Sequence, residues 1–158
     1  MNKRLLAALV TIVATIGCDR ITKTMATASL RGEGPRSFLQ DTLRLEYAEN
    51  RGAFLGLGRN FTEPARFWIF TAGTAALLCL VALHVGFSLA RDGANVLPWT
   101  LLLAGGVSNL LDRATSGGRV VDFLNLGLGS FRTGIFNVAD LAITVAAFVL
   151  IFRQVERG

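Results

Sequence analysis

Two aspartates stand in strongly apolar surroundings: Asp122 in Val121-Asp122-Phe123, and Asp140 in Phe136-Asn137-Val138-Ala139-Asp140, where it opens a hydrophobic run reaching Phe152. A carboxylate at bilayer depth costs about 2.5–3.5 kcal/mol on translocon-insertion scales, which makes such an acid a functional candidate by default. Two carboxylates in one partly dry site cannot both ionise easily. One keeps a proton near neutral pH and donates a hydrogen bond, while its partner acts as a base. That is the chemistry of water activation for peptide hydrolysis. The competing reading pairs each acid with an arginine, Arg119 or Arg113, which would merely solve its burial.

Further polar residues sit at the ends of apolar runs. In Gly105-Gly106-Val107-Ser108-Asn109-Leu110-Leu111-Asp112-Arg113, Asn109 and Asp112 share a helix face, and the glycine pair would let another helix approach closely. Asp112 and Arg113 read as a cap and interfacial anchor, with Arg113 orienting a carboxylate or meeting a lipid phosphate. Asp19 and Lys23 are spaced i, i+4 in the acid-first order that favours an ion pair, and with Arg20 and Thr22 they read as a solvated helix end. His84 is alone in an apolar run and reads as a packed or interfacial histidine. Cys18 and Cys79 lie in different apolar runs, without a CxxC pair or a nearby histidine, so neither a disulfide framework nor a metal site is expected.

The elements that must position these groups follow from composition. The chain has 158 residues, 52% of them hydrophobic, 17% charged, and only 3 Pro, with a mean hydropathy of +0.51. It is too apolar for an ordinary soluble domain and reads as a polytopic α-helical membrane protein. Four stretches are candidate spans: Leu5 to about Thr24, Phe67 to Leu89, Ala94 to Leu111, and Phe136 to Phe152. The last covers roughly 25 Å at about 1.5 Å per residue, enough for a thin bilayer.

An even number of spans places both termini on one side. Lys3, Arg4, Arg91, Arg153 and Arg157 fall there, while the other 11 of 16 basic residues fall opposite. Counted naively, this puts the termini outside, but the rule applies best to short loops and the stretch from 25 to 66 is long. The excess arginine on that face, and the net charge of +5, suit anionic lipid headgroups. No interleaving of basic and aromatic residues supports nucleic acid as a partner.

Both long connections, about 25–66 and 112–135, lie on the same face. The first holds an alternating stretch, Thr42 to Tyr47, that reads as a strand, then the turn cluster Asn50-Arg51-Gly52 and an apolar glycine-rich strip from Ala53 to Gly58. The second holds a short apolar segment, Val120 to Leu126, between glycines. The N-terminus also has the look of a lipoprotein signal peptide, with Lys3 and Arg4, an apolar run, and Gly17-Cys18. Thr15 stands where such sites carry Leu, and three further spans would remain, so this reading is disfavoured.

Taken in order, Asp19-Arg20-Ile21-Thr22-Lys23, Asn50-Arg51-Gly52-Ala53, Gly105-Gly106 through Asp112-Arg113, Val121-Asp122-Phe123, and Phe136 through Asp140 resemble the lipoprotein signal peptidase family, signal peptidase II. The resemblance implies an aspartic endopeptidase of the bacterial inner membrane with four transmembrane helices, cytoplasmic termini, a periplasmic β-rich cradle and a loop over the active site. It implies cleavage of prolipoproteins immediately before a diacylglyceryl-modified cysteine. By motif, Asp122 and Asp140 are the catalytic pair. Asp19, Lys23, Asn50, Gly52, Asn109, Asp112, Arg113, Asn137 and Ala139 line or support the site. No metal or organic cofactor is expected, the partners are lipid-modified substrate and membrane phospholipid, and the chain is expected to be a monomer.

One departure is that Phe54 follows Ala53 directly, where the family commonly has two small residues before an aromatic one. Two rival readings remain: a scaffold or transporter whose acids carry protons or bind cations, and an inactive homologue that binds lipidated peptides. A transporter would line a path through the bilayer with its acids. Here Asp19, Asp112, Asp122 and Asp140 all map to one side.

Overall fold

A computed structural model describes residues 2–52, 58, 60–91 and 96–155. Helix α1 runs from Lys3 to Leu30, starting where the Asn2 side chain accepts a hydrogen bond from the Arg4 amide at 3.0 Å. It passes the expected end at Thr24 and stops just before Gly32, whose φ of +84° only glycine adopts without strain. The sheet strands β1 (Arg36–Phe38) and β2 (Leu43–Asn50) follow. Next comes a continuous helical run built from α2 (Glu63–Arg66), a π-helical segment (Phe67–Gly73) and α3 (Thr74–Ala90). Helix α4 (Leu97–Thr115), strands β3 (Val120–Leu128) and β4 (Phe131–Arg132), and helix α5 (Val138–Val155) complete the chain.

The runs Lys3–Leu30, Glu63–Ala90 and Val138–Val155 are long and apolar enough to cross a membrane. Their outward faces are apolar, with Val13 on α1, Leu80 on α3 and Phe152 on α5 all exposed, as expected where lipid rather than water is the solvent. Helix α4, at 19 residues, is roughly 28 Å long. It packs against α1, α3 and α5, and its buried face runs through Thr100, Ala104 and Ser108.

The glycine pair on α4 serves two neighbours. A Cβ on Gly105 would stand 2.6 Å from the Ala139 carbonyl oxygen of α5, and one on Gly106 would stand 2.4 Å from Leu78 Cδ2 of α3. Each glycine therefore admits a different helix, so the close approach expected of this pair holds twice over. The expected strip from Ala53 to Gly58 falls outside the described residues except for Gly58. The register question raised by Phe54 lies outside them as well.

The four strands form an antiparallel sheet in the order β1-β2-β3-β4. It sits on the end of α1, where Ala26 and Leu30 pack against Phe123, with Leu45, Tyr47, Leu124 and Val138 around them. β2 is longer than the alternation suggested, reaching Asn50, with a register shift between Leu45 and Ala48. Beyond the shift, Ala48 lies opposite Asp122 and Asn50 opposite Val120, a re-aiming of side chains typical of bulges.

Between β1 and β2 the chain turns through three non-glycine residues in the left-handed region: Leu39, Gln40 and Asp41, at φ 52°, 52° and 69°. Asp41 holds this turn by accepting from Arg44 at 2.7 and 2.5 Å and from Ser37 at 2.7 Å. Those hydrogen bonds keep its carboxyl below the usual carboxylate range. Arg132 also reaches Asp41 from β4, and Arg31 and Arg119 both pair with Glu49. Much of the arginine excess on this face is thus engaged in building the sheet.

Candidate active site

Three local structures meet where the two aspartates come together. β3 carries Asp122, and the chain entering α5 is stitched to β3 by a bridge. The Phe136 carbonyl accepts from the amides of Phe123 at 3.0 Å and Leu124 at 2.8 Å, and the Phe136 amide donates to the Leu124 carbonyl at 2.8 Å. This clamp puts Asn137 directly beside Asp122. Asn137 then starts α5 by an exchange with Asp140: its Oδ1 accepts from the Asp140 amide at 2.8 Å, and Asp140 Oδ2 accepts from the Asn137 amide at 3.3 Å. This is a reciprocal capping box made with asparagine and aspartate. Asp140 is the third residue of α5, in its first turn, because the helix begins at Val138 and not at Phe136, where the span was expected to start.

Among the described residues neither acid forms an ion pair with an arginine, contrary to the competing account of their burial. Amides hold them instead. Asp122 Oδ1 accepts from Asn137 Nδ2 at 2.6 Å and its Oδ2 from Asn50 Nδ2 at 3.1 Å. Asp140 Oδ1 accepts from Asn109 Nδ2 at 2.8 Å. Arg119 turns away to Glu49 at 2.8 Å, and Arg113 Nη2 donates to the Gly52 carbonyl at 2.8 Å. The Gly52 amide in turn donates to Asn50 Oδ1 at 2.9 Å. Arg113 thereby fixes the Asn50-Arg51-Gly52 turn above the acids, a positioning role close to the anchor expected of it.

Asp122 is almost completely buried, at 2% exposure. Burial first, and then the charge of Asp140, push its carboxyl up to about 7, against the lowering effect of the amides of Asn50 and Asn137. A carboxyl titrating there remains half-protonated near neutrality, as a shared-proton pair requires.

Behind the pair lies a buried ion cluster. Lys23, at 3% exposure, contacts Asp19 Oδ2 and Asp112 Oδ2, both at 2.7 Å. It also donates to Asn109 Oδ1 at 2.9 Å. Asp19, with no exposure at all, accepts from the Ala139 amide at 2.8 Å, so a carboxylate from α1 sits at the positive N-terminal end of α5. The expected solvated helix end is therefore a correction: Asp19 and Lys23 do pair, but in the interior, because α1 continues two turns further and α4 and α5 cover them. Arg20, half exposed, pairs with Asp112 from outside.

The polarity of this network runs one way. An ammonium only donates, so Lys23 requires the oxygen of Asn109 to face it, which turns Asn109 Nδ2 toward Asp140. Asn137 Nδ2 also donates to Asn109 Oδ1, at 3.2 Å, and to Asp122. Its oxygen is left for the Asp140 amide. One lysine thus sets the orientation of two amides that address the acids.

Asp19, Lys23, Asn50, Gly52, Asn109, Asp112, Arg113, Asn137 and Ala139 all fall within this constellation. Sequence reasoning passed over Ser108, which is buried and donates to Asp19 Oδ2 at 2.6 Å. Its signal was a hydroxyl one turn before Asp112, on the face that the glycine pair brings into contact. His84 lies outside the site, its ring 4.6 Å from that of Trp99. Cys18 and Cys79 are free thiols at the surface.

Beside Asp140 a cleft of about 250 Å³ opens between α3, α4 and α5, bounded by Thr74, Gly106, Asn109, Arg113 and Ile143. A second, of about 560 Å³, lies under the Arg51 turn against Phe67, Phe70 and Arg113.

Residues 11–156 match the family model described as Signal peptidase (SPase) II. A lipoprotein signal peptidase of Chlorobium phaeobacteroides is 38% identical over 141 residues, covering 84% of this chain and 80% of that protein. Another, from Sphingopyxis alaskensis, is 36% identical, covering 89% of this chain and 80% of its own. Among solved structures, a bacterial membrane enzyme determined by the in meso method at 2.3 Å resolution superposes with a TM-score of 0.73 at 21% identity, covering 99% of this chain and 89% of the other. A second such structure, at 1.9 Å resolution, gives 0.74 at 20% identity, with 98% and 93% covered.

Proposed function

The chain belongs to the signal peptidase II family, and from that membership and the buried acid pair we propose that it removes signal peptides from prolipoproteins as an aspartic endopeptidase, with Asp122 and Asp140 as its catalytic groups. The observation that carries the aspartic assignment is the way amides, not arginines, hold both carboxylates. That arrangement leaves the acids free to exchange a proton instead of fixing both as anions. One carboxylate takes a proton from the attacking water. Its protonated partner hydrogen-bonds the scissile carbonyl and then delivers a proton to the leaving amine. Because the two titrate as a pair, the proton belongs to both.

The substrate's apolar helix reaches the pair laterally from the bilayer, and the cut falls immediately before the lipid-modified cysteine, whose acyl chains stay in the membrane. The exposed apolar faces of the helices and the cleft beside Asp140 support this route. We read α4 as the fourth span. The termini are then cytoplasmic, and the site lies near the periplasmic face of the inner membrane, under the turn that Arg113 holds. The transporter reading is weaker: Asp19, Asp112, Asp122 and Asp140 converge at one end of the bundle and do not line a path through it.

The test is cleavage by the full chain in lipid of a diacylglyceryl-modified prolipoprotein and of the same protein without the lipid, followed by mass. Cleavage before the cysteine in the lipidated substrate alone is the expected result. Equal cutting of both forms would remove the lipid from the specificity, and no cutting of either would leave a binding protein. A second expectation concerns pH. With Asp122 pushed up to about 7, kcat/KM falls as pH rises through that region and the pair loses its shared proton. It falls again on the acid side, once both carboxyls are protonated and no base remains. A rate still climbing at pH 9 would contradict the shared proton.

A further inference from the structure

Helices α1 and α4 and the sheet enclose a cleft of about 550 Å³. Its basic groups are Lys23, already engaged by Asp19 and Asp112, and Arg20, Arg31 and Arg119, whose side chains are 45%, 62% and 38% exposed. Glu49 is shared between two of them, at 3.4 Å from Arg31 and 2.8 Å from Arg119, and Tyr47 also donates to it at 2.9 Å. One carboxylate thus faces two guanidinium groups, while Arg20 faces Asp112, whose charge Lys23 already engages. Each guanidinium offers five donors. Among the described residues, Arg31 uses one on Glu49 at the long distance of 3.4 Å, and Arg119 leaves its Nη2 without a hydrogen bond. The cleft therefore has a surplus of positive charge and of directed donors.

Its depth matters as much as its charge. Arg20 lies 17 residues beyond Lys3 (20 − 3) on an unbroken helix, which is roughly 26 Å of rise and close to the thickness of a hydrocarbon core. Ile21 and Met25, which follow the cleft-lining Arg20 and Thr24 on the same helix, are both more than 60% exposed, and exposed apolar residues continue down α1 through Val13 and Val10. A basic cleft thus stands directly above an apolar helix face. Thr24 and Thr27 line it between the two arginines of α1, but their hydroxyls are turned to the α1 backbone.

We propose that this cleft binds the phosphodiester headgroup of an anionic phospholipid, with its acyl chains lying along α1 below. The phosphate takes the unused donors of Arg31 and Arg119 in the fork geometry that guanidinium groups favour, and Arg20 closes the lower edge. A free phosphate would meet the same donors. The apolar face beneath favours the lipid.

The test reads binding and is independent of cleavage, so it can fail while the peptidase assignment stands. The full chain in neutral detergent is titrated with short-chain phosphatidylglycerol, with phosphatidylcholine, and with inorganic phosphate, and the adducts are counted by native mass spectrometry. Phosphatidylglycerol is expected to bind at least about tenfold more tightly than phosphatidylcholine. The double variant Arg31→Gln, Arg119→Gln is expected to lose that preference, while Arg153→Gln at the far end of α5 keeps it. Equal binding of the two lipids, or a preference unchanged in the double variant, overturns the proposal, and inorganic phosphate binding as tightly as the lipid overturns the lipid assignment. A measurement on the unaltered chain guards against misfolded variants: a phosphatidylglycerol carrying a photoreactive acyl chain is expected to label α1 around Ile21 and Met25. Labelling confined to α3 or α5 overturns it too.

Discussion

Asp140→Asn is expected to leave the protein folded and to lower turnover of lipidated prolipoprotein by about a hundredfold to ten-thousandfold, the usual range for removing a positioned acid or base. Asparagine keeps the size of the side chain, and its one oxygen can still accept from Asn109 Nδ2, which reaches Asp140 Oδ1 at 2.8 Å. The start of α5 survives because its shorter hydrogen bond, from the Asp140 amide to Asn137 Oδ1, involves no carboxylate. What is lost is the ability to hold and return a proton. Asp122→Asn is expected to fall by a similar factor, and the double variant should be little worse than either single one, since the two acids act as a unit. Cleavage rates measured alongside a melting curve decide the matter. A folded Asp140→Asn protein that cuts at the parent rate would end the acid-pair mechanism.

The second large effect is on stability. Lys23→Met removes the cation that both Asp19 and Asp112 contact at 2.7 Å, leaving buried carboxylates with less to balance them. Breaking a buried pair from one side typically costs about 3–5 kcal/mol, and at about 2–4 °C per kcal/mol the melting point should drop on the order of ten degrees. Adding Asp19→Asn is expected to restore part of the loss, because the neutral amide no longer needs a counter-charge. Arg20→Gln provides the contrast. It touches the same Asp112 from the half-exposed side, where an ion pair is usually worth less than about 1 kcal/mol. Equal losses from Lys23→Met and Arg20→Gln would show that burial does not set the energetics of this cluster.

The helices and the acid pair were legible because their signals are local. Long apolar runs announce themselves, and Asp122 and Asp140 stand out against the residues around them. The glycine pair of α4 was legible in kind, though not in its use by two helices, since the sequence does not say which neighbours cross there. Asp19 and Lys23 were misjudged for a specific reason. An i, i+4 pair reads the same whether its face meets water or another helix, and the covering elements come from 86 and more residues away, as in the bond from Lys23 to Asn109. The register shift in β2 was invisible for a similar reason. Alternation through Tyr47 predicts a strand, but the irregularity that delivers Asn50 to Asp122 depends on pairing with β3. The exchange of hydrogen bonds between Asn137 and Asp140 was present in the spacing. It was overlooked because asparagine and aspartate replace the residues that usually signal it.

That exchange has a bearing on which wall of the site yields when a peptide arrives. Asp140 is tied to the first turn of a helix whose entry is bridged to β3 at Phe136 and whose second amide is held by Asp19. The floor is therefore stiff, and a substrate that fits badly cannot be met by shifting this acid without unravelling α5. Compliance must come from the roof, where the Gly52 turn is tied through side chains, by Arg113 to its carbonyl and by Asn50 to its amide, and not by a helix end. The two halves of the exchange are also unequal, at 2.8 Å through the asparagine oxygen and 3.3 Å through the aspartate oxygen. Under the proposed mechanism, the acid gains and loses its proton on the more weakly held oxygen while the helix beneath it stays wound.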